Sequence, residues 1–211
     1  MIRLFIILSL LFYSSGLKSQ NPGWTLLNQP ETFKKSFAQA TAATESIQAD
    51  FVQEKTLTML SEKINSKGKF WYRKKDFLRM EYVQPYVYLL ILNGGNIFTK
   101  DGQKENKISA GSNRVFRQVN RILLDCVSGK MLENPDFQYR IFENSGSWLI
   151  ELKPLEKNLQ KLYKNINVII DSKDYSAKSI EMVELSGDKT NIRFQNKELN
   201  AKIPDSVFLI P

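Results

Sequence analysis

The chain of 211 residues contains no histidine and a single cysteine, Cys126. Without histidine there is no Ser-His-Asp or Cys-His catalysis and no His-ligated metal site. One thiol allows neither an intrachain disulfide nor a thiolate zinc cluster. No phosphate-binding loop or dinucleotide fingerprint occurs, and the acids are scattered over alternating positions with no convergent pair for general acid–base work. These absences argue against an enzyme and against a cofactor. No apolar run approaches the ~20 residues that a membrane-spanning helix needs. No acid precedes Glu31.

What is present begins with a leader. Residues 1–20, MIRLFIILSLLFYSSGLKSQ, place Arg3 ahead of a nearly unbroken apolar stretch from Leu4 to Tyr13, followed by small and polar residues. This is the charged–apolar–small plan of a secretory signal. Cleavage is expected after Ser19, with Gly16 as a second position, so that 1–19 is a signal peptide and 20–211 one soluble, exported domain. No cysteine lies near the cut to make the chain itself a lipoprotein. The full chain carries a net charge of +8. A basic balance suits nucleic acid, anionic membrane or acidic partners alike, but an exported chain rarely meets nucleic acid.

Periodicity supplies the elements. Phe33, Phe37, Ala40, Thr44 and Ile47 recur at helical spacing and predict a helix over 31–47. Ile47, Ala49, Phe51 and Gln53 then alternate with polar residues in a strand rhythm. Strands are expected from Gly68 to Arg73 and from Asp76 to Val83. In FLRMEY the charged Arg79 and Glu81 mark the wet face, which turns Leu78, Met80 and Tyr82 inward. YLLIL at 88–92, the turn NGG at 93–95 and NIFTKDGQ form a hairpin. Residues 113–128 hold the most regular amphipathic helix: Val115, Phe116, Val119, Ile122, Leu123, Cys126 and Val127 on one face; Arg114, Arg117, Asn120, Arg121 and Asp125 on the other. Cys126 therefore reads as a core or cavity-wall residue. Strands resume at 137–143, 147–154, 162–171, 177–185 and 190–196. Nine or ten strands in meander order, with two helices, predict a mainly β fold: an incomplete antiparallel barrel (a half-barrel) with a helical lid or plug. By pattern alone the helices either roof a hydrophobic cavity or complete a solid core.

From about Ile47 to Phe208 the sequence resembles the LolA-type periplasmic outer-membrane lipoprotein carriers of Gram-negative bacteria. The resemblance is carried by IQADFVQ at 47–53, GKFWYRK at 68–74, YVQP at 82–85, LLILNGGNIF at 89–98, LIELKP at 149–154 and FQNKELNAKIPDSVF at 194–208. It implies a half-barrel with a helical lid over a hydrophobic cavity. The function it implies is to accept acylated lipoproteins from an inner-membrane ABC transporter and hand them to an outer-membrane receptor or the outer membrane. The protein would be a monomeric carrier, without enzymatic activity, in the periplasm. A related carrier or sensor of another acylated molecule or lipid on the same fold is the alternative.

The acyl-binding wall then falls to Phe51, Phe70, Leu78, Met80, Tyr82, Leu90, Leu92 and Phe98 of the strands. The lid contributes Val115, Phe116, Val119 and Leu123. The family has a cation followed by Pro after the second strand, and its Arg bonds the lid shut. A gap-free reading sets that Arg at Lys74, with Arg73 the neighbouring candidate, and puts Lys75 where the Pro stands. The family's inward Trp on the next strand matches Met80. Arg114, Arg117 and Arg121 form either a solvated helix face or a dock for an acidic transporter patch.

Overall fold

The alternation in FLRMEY holds in three dimensions. In the computed structural model, which describes residues 22–108 and 114–211, with side chains from 117 in the second stretch, Leu78 and Met80 are fully buried while Phe77, Arg79 and Glu81 reach solvent. The leader lies outside the described residues.

In chain order the elements are β1 (Thr25–Leu26), α1 (Glu31–Ala43), β2 (Ser46–Leu57), β3 (Glu62–Arg73), β4 (Phe77–Gln84), β5 (Tyr88–Asn93), β6 (Asn96–Asp101), β7 (Lys104–Ile108), α2 (Arg114–Ser128), β8 (Phe137–Asn144), β9 (Ser147–Pro154), α3 (Lys157–Gln160), β10 (Tyr163–Asp171), β11 (Ala177–Glu184) and β12 (Lys189–Leu199). Among the described residues twelve strands make one antiparallel sheet in the order β1-β8-β9-β10-β11-β12-β2-β3-β4-β5-β6-β7. Two meanders, β2–β7 and β8–β12, are joined where β12 pairs β2, from Lys189↔Thr56 to Leu199↔Ile47. The outermost strands β1 and β7 do not pair with each other, so the curled sheet stays open. The half-barrel read from the sequence is the observed architecture.

This topology dictates where α2 lies. It connects β7 at one edge of the sheet to β8 beside the other edge. A chain that must travel between opposite edges has to cross the open side, and a 15-residue helix spans ~22 Å of that distance. Ile122, Leu123, Cys126 and Val127 accordingly join Ile47, Phe51, Phe70, Leu78 and Met80 in one buried cluster. Helix α1 is seated at its side by aromatic contacts. Phe33 packs 4.9 Å from Trp148, which stacks at 4.9 Å on Tyr175.

Several boundaries differ from the expectations. α1 ends at Ala43, and Ile47 belongs to β2. The hydroxyls of Thr41 and Thr44 donate back to the carbonyls of Phe37 and Ala40 at 2.9 and 3.0 Å, a local competition that favours helix ends. β3 starts at Glu62 rather than Gly68. Its first half, EKINSK, shows no apolar alternation and is held by pairing with β2, from Leu57↔Glu62 to Val52↔Lys67. Gly68 itself lies opposite Phe51 and Tyr82. A methyl group there would overlap the Glu81 carbonyl and come within 2.6 Å of the Phe51 ring, so the glycine leaves room for that ring.

Candidate functional site

Six expected wall residues of the strands share the concave face. Phe51, Phe70, Leu78, Met80, Leu90 and Leu92 all lie in the buried cluster with Leu123 of α2. Register explains their convergence, because Leu78 pairs Leu92, Met80 pairs Leu90 and Phe70 pairs Met80. Tyr82 borders the cluster, half-buried, with its ring edge-on to Phe51 at 4.9 Å. Its hydroxyl donates to Gln53 Oε1 at 2.9 Å, and burial pushes its pKa well up. Val119 is half-buried on α2. The side chains of Val115 and Phe116 lie outside the described residues.

Phe98 is not on this face. It pairs with Ile91, which pairs with Arg79, one residue out of phase with Leu90, Leu92, Leu78 and Met80. It is fully buried on the convex side, where the C-terminal turn Asp205–Phe208 packs over β4 and β5. NIFT carries apolar residues toward both faces because both are covered, and Ile97 is the one that joins the concave cluster.

The polar residues arrange themselves around the β3–β4 turn. Lys74 Nζ donates to the carbonyl of Ala42, in the last turn of α1, and to Glu45 Oε1 at 2.6 Å. A cation on a helix C-terminus meets the negative end of the dipole. Arg73 goes the other way. Its guanidinium lies 4.7 Å from the Phe77 ring and 4.9 Å from Phe208, paired with Asp205 of the C-terminal turn. Of the two cations named from sequence, Lys74 is the one that reaches a helix end. Lys75 has φ +68°, a value closed to proline, whose ring fixes φ near −65°. The turn thus departs in backbone as well as in residue from the family's cation-Pro pattern.

A second set of contacts was not foreseen. Asp76 accepts from Arg121 Nη1 at 2.9 Å and Lys130 Nζ at 3.2 Å. Arg121 Nε donates to Asp125 at 2.6 Å, and Asn134 donates to the same carboxylate at 2.7 Å. Asn120 and Asp125, on the side of α2 opposite its apolar face, are both buried, because that flank of α2 presses against the turn. Glycine completes the closure. Gly129, at φ +78° just past α2, sits so close to α1 that a Cβ would overlap the Thr41 methyl. Cys126 is buried at 2% exposure, and burial pushes its thiol pKa well up, so it stays protonated.

The two carboxylates titrate in opposite directions. Burial disfavours charge on both. At Asp76 the hydrogen bond from Lys130 and the Arg121 charge outweigh it, and its pKa falls below the usual carboxylate range. At Asp125 burial wins over Arg121 and Asn134, and its pKa rises. Asp76 therefore contributes stability that is present above its unfolded pKa and lost as pH falls through its lower folded value. Asp125 contributes in the reverse sense, fully below the unfolded pKa and fading as pH rises through its folded one. Urea midpoints measured from pH 7 down to pH 3 are expected to fall less in Asp76→Asn than in the native protein. Equal slopes would remove Asp76 from the pH response.

The concave face is filled rather than hollow under the middle of α2, where Leu78, Met80 and Ile122 are 0–2% exposed. Two of the openings around it are lined in part by residues of the buried cluster. A cavity of about 450 Å³ opens between α2 and the β5–β6 turn, over Leu92, Ile97 and Leu124. A groove of about 620 Å³ runs between α1, the β3–β4 turn and the end of α2, lined by Phe37, Tyr72, Lys74 and Leu132. Among the described residues no group of three or more His, Cys, Asp or Glu is placed to hold a metal ion. No described helix is long and apolar enough to cross a membrane.

Comparison with known proteins agrees with this geometry. No curated protein matches the sequence closely enough to count as a relative. Among solved structures, the MucA/MucB complex of Pseudomonas aeruginosa is similar at 12% identity and a TM-score of 0.51, over 85% of this chain and 60% of that one. An uncharacterized conserved protein from Thermus thermophilus is similar at 7% identity and a TM-score of 0.51, over 85% and 94%. A LolA superfamily protein from Nitrosomonas europaea matches at 9% identity and a TM-score of 0.44, over 83% and 97%. For the first two the likeness is one of fold. The model of the family described as outer membrane lipoprotein carrier protein LolA matches residues 42–211, from the end of α1 to the last residue. An open antiparallel half-barrel, a helix laid across its mouth and a family match over most of its length lead to one assignment: the chain belongs to the LolA family.

Proposed function

We propose that the protein is a periplasmic carrier, exported by the leader at 1–19, that holds the acyl chains of lipoproteins against its concave wall. It receives them as a monomer from an inner-membrane ABC transporter and passes them to an outer-membrane receptor or the outer membrane. The observation that carries this reading is the way α2 is held. Its apolar face covers Phe70, Leu78 and Met80, while its flank is fixed to the β3–β4 turn by the ion pair of Arg121 with Asp76, joined by Lys130 just past the helix. Polar contacts of this kind exchange readily with water, so the cover can lift without unfolding the sheet.

Magnitudes favour such a lid. An acyl chain of about 14 methylenes costs roughly 11 kcal/mol to expose to water. A carrier has to offset nearly all of that and still release the chain. When a chain replaces α2 on the wall, one apolar cover is exchanged for another, and the net affinity is the difference between two large terms. Purified protein mixed with vesicles bearing a lipoprotein-exporting transporter, ATP and a triacylated lipoprotein is expected to yield a soluble one-to-one complex.

The second reading, a carrier or sensor of another acylated molecule, is favoured by the turn. Lys74 stands in place of an arginine, and Lys75 has a backbone closed to proline. Failure to take lipoprotein, together with a bound free lipid in native mass spectrometry, would select it.

A further inference from the structure

The cavity between α2 and the β5–β6 turn has a floor and a mouth of different chemistry. Its floor is Leu92, Ile97 and Leu124, all below 9% exposure. Its mouth carries Asn96, Arg117, Gln118 and Arg121. Two of these have polar atoms without partners. Arg117 Nη1 and Gln118 Oε1 are buried and make no hydrogen bond to the described residues. Asp76 is the acid lining the cavity, and it is already engaged by Arg121 and Lys130. Asp125, behind it, is engaged by Arg121 and Asn134. The charge on Arg117 is thus left without a carboxylate at the edge of an apolar pocket.

That nitrogen is packed away from the cavity, but Arg117 as a whole is only partly buried and lines the opening, so a turn of its side chain gives the nitrogen an acceptor on a ligand bound there. The planar fork of arginine matches phosphate and carboxylate oxygens. The cavity's volume of about 450 Å³ lies within the range of small-molecule pockets. We infer that this cavity selects an amphiphile whose acyl chain lies over Leu92, Ile97 and Leu124 and whose anionic head group, a phosphate or a carboxylate, is held by Arg117. Gln118 and Asn96 complete the mouth as neutral hydrogen-bonding groups. The inference rests on the acyl-carrier reading, concerns the state in which α2 is in place, before a chain takes over its seat on the wall, and adds to that reading the charge of what adjoins the chain.

The test is calorimetric titration of the mature protein with dodecyl phosphate, dodecanoate, neutral dodecylglycerol and inorganic phosphate alone. Both anionic amphiphiles are expected to bind about tenfold more tightly than the neutral one, the worth of one charge-assisted hydrogen bond. Arg117→Gln is expected to erase that preference. Lys104→Gln, an exposed cation on β7, keeps it, which separates a local contact from general attraction to a basic protein. Equal binding of neutral and anionic amphiphiles overturns the inference and leaves the carrier reading standing. Inorganic phosphate binding as tightly as dodecyl phosphate also overturns it, since the chain would then contribute nothing. If no amphiphile binds, the acyl-carrier reading falls together with the inference.

Discussion

Gly129→Ala is expected to lower the unfolding free energy by about 3 kcal/mol, the sum of a left-handed backbone and an overpacked contact. The residue has φ +78°, and the position a Cβ would take is occupied by the methyl of Thr41. The substitution pushes α1 away from the end of α2, and α1 is also held there by Lys74 through the Ala42 carbonyl. Chemical denaturation measures the loss. Thr41→Ala in the same chain is expected to restore part of it, because the crowding is relieved while the backbone penalty stays. A Gly129→Ala protein as stable as the native one would mean that the two helices do not need this close approach.

Leu78→Glu is expected to abolish cargo binding and to cost on the order of 4 kcal/mol. Leu78 is fully buried between its strand partners Tyr72 and Leu92, in the cluster that α2 covers. A carboxylate there has no partner and either takes up a proton or lifts the helix. Leu78→Ala removes buried methyl groups at about 2–5 kcal/mol but leaves the wall apolar, so it is expected to retain cargo. The pair separates a damaged fold from a damaged wall. Complex formation in the transporter assay, read beside hydrogen exchange in residues 117–128, gives both answers. A folded Leu78→Glu protein that still forms the complex would place the cargo elsewhere.

The sequence announced a residue's position wherever one face of a strand meets the core and the other meets water. Ile47, Ala49 and Phe51 and then Leu78 and Met80 alternate with polar or charged residues, and all proved to face inward. The signal failed where that asymmetry is missing. EKINSK has Ile64 as its one apolar residue and looks like a loop, yet the long hairpin with β2 orders it. Ile97 and Phe98 are both apolar because the C-terminal turn covers the convex side, so alternation could not say which one lines the wall. The contacts that fasten α2 join Asp76 to Arg121, 45 residues away. Helical periodicity sees charged residues on the outer side of α2 and cannot see that a distant turn will bury Asn120 and Asp125.

The pairing of β2 with β12 orders assembly in time as well as in space. β2, the first long strand, finds its neighbour in β12, and Ser46 Oγ donates to the carbonyl of Ala201 at 2.6 Å, 155 residues along the chain. A chain that emerges from the ribosome N-terminus first therefore holds β2 and its hairpin partner with one edge bare until β12 arrives. Contacts of such long sequence separation slow folding, and a bare strand edge invites pairing with other chains. The two meanders remain separate half-sheets during that interval, with no common curvature and no wall for α2 to cover. The wall that α2 covers thus forms late and all at once, when β12 closes the seam between them.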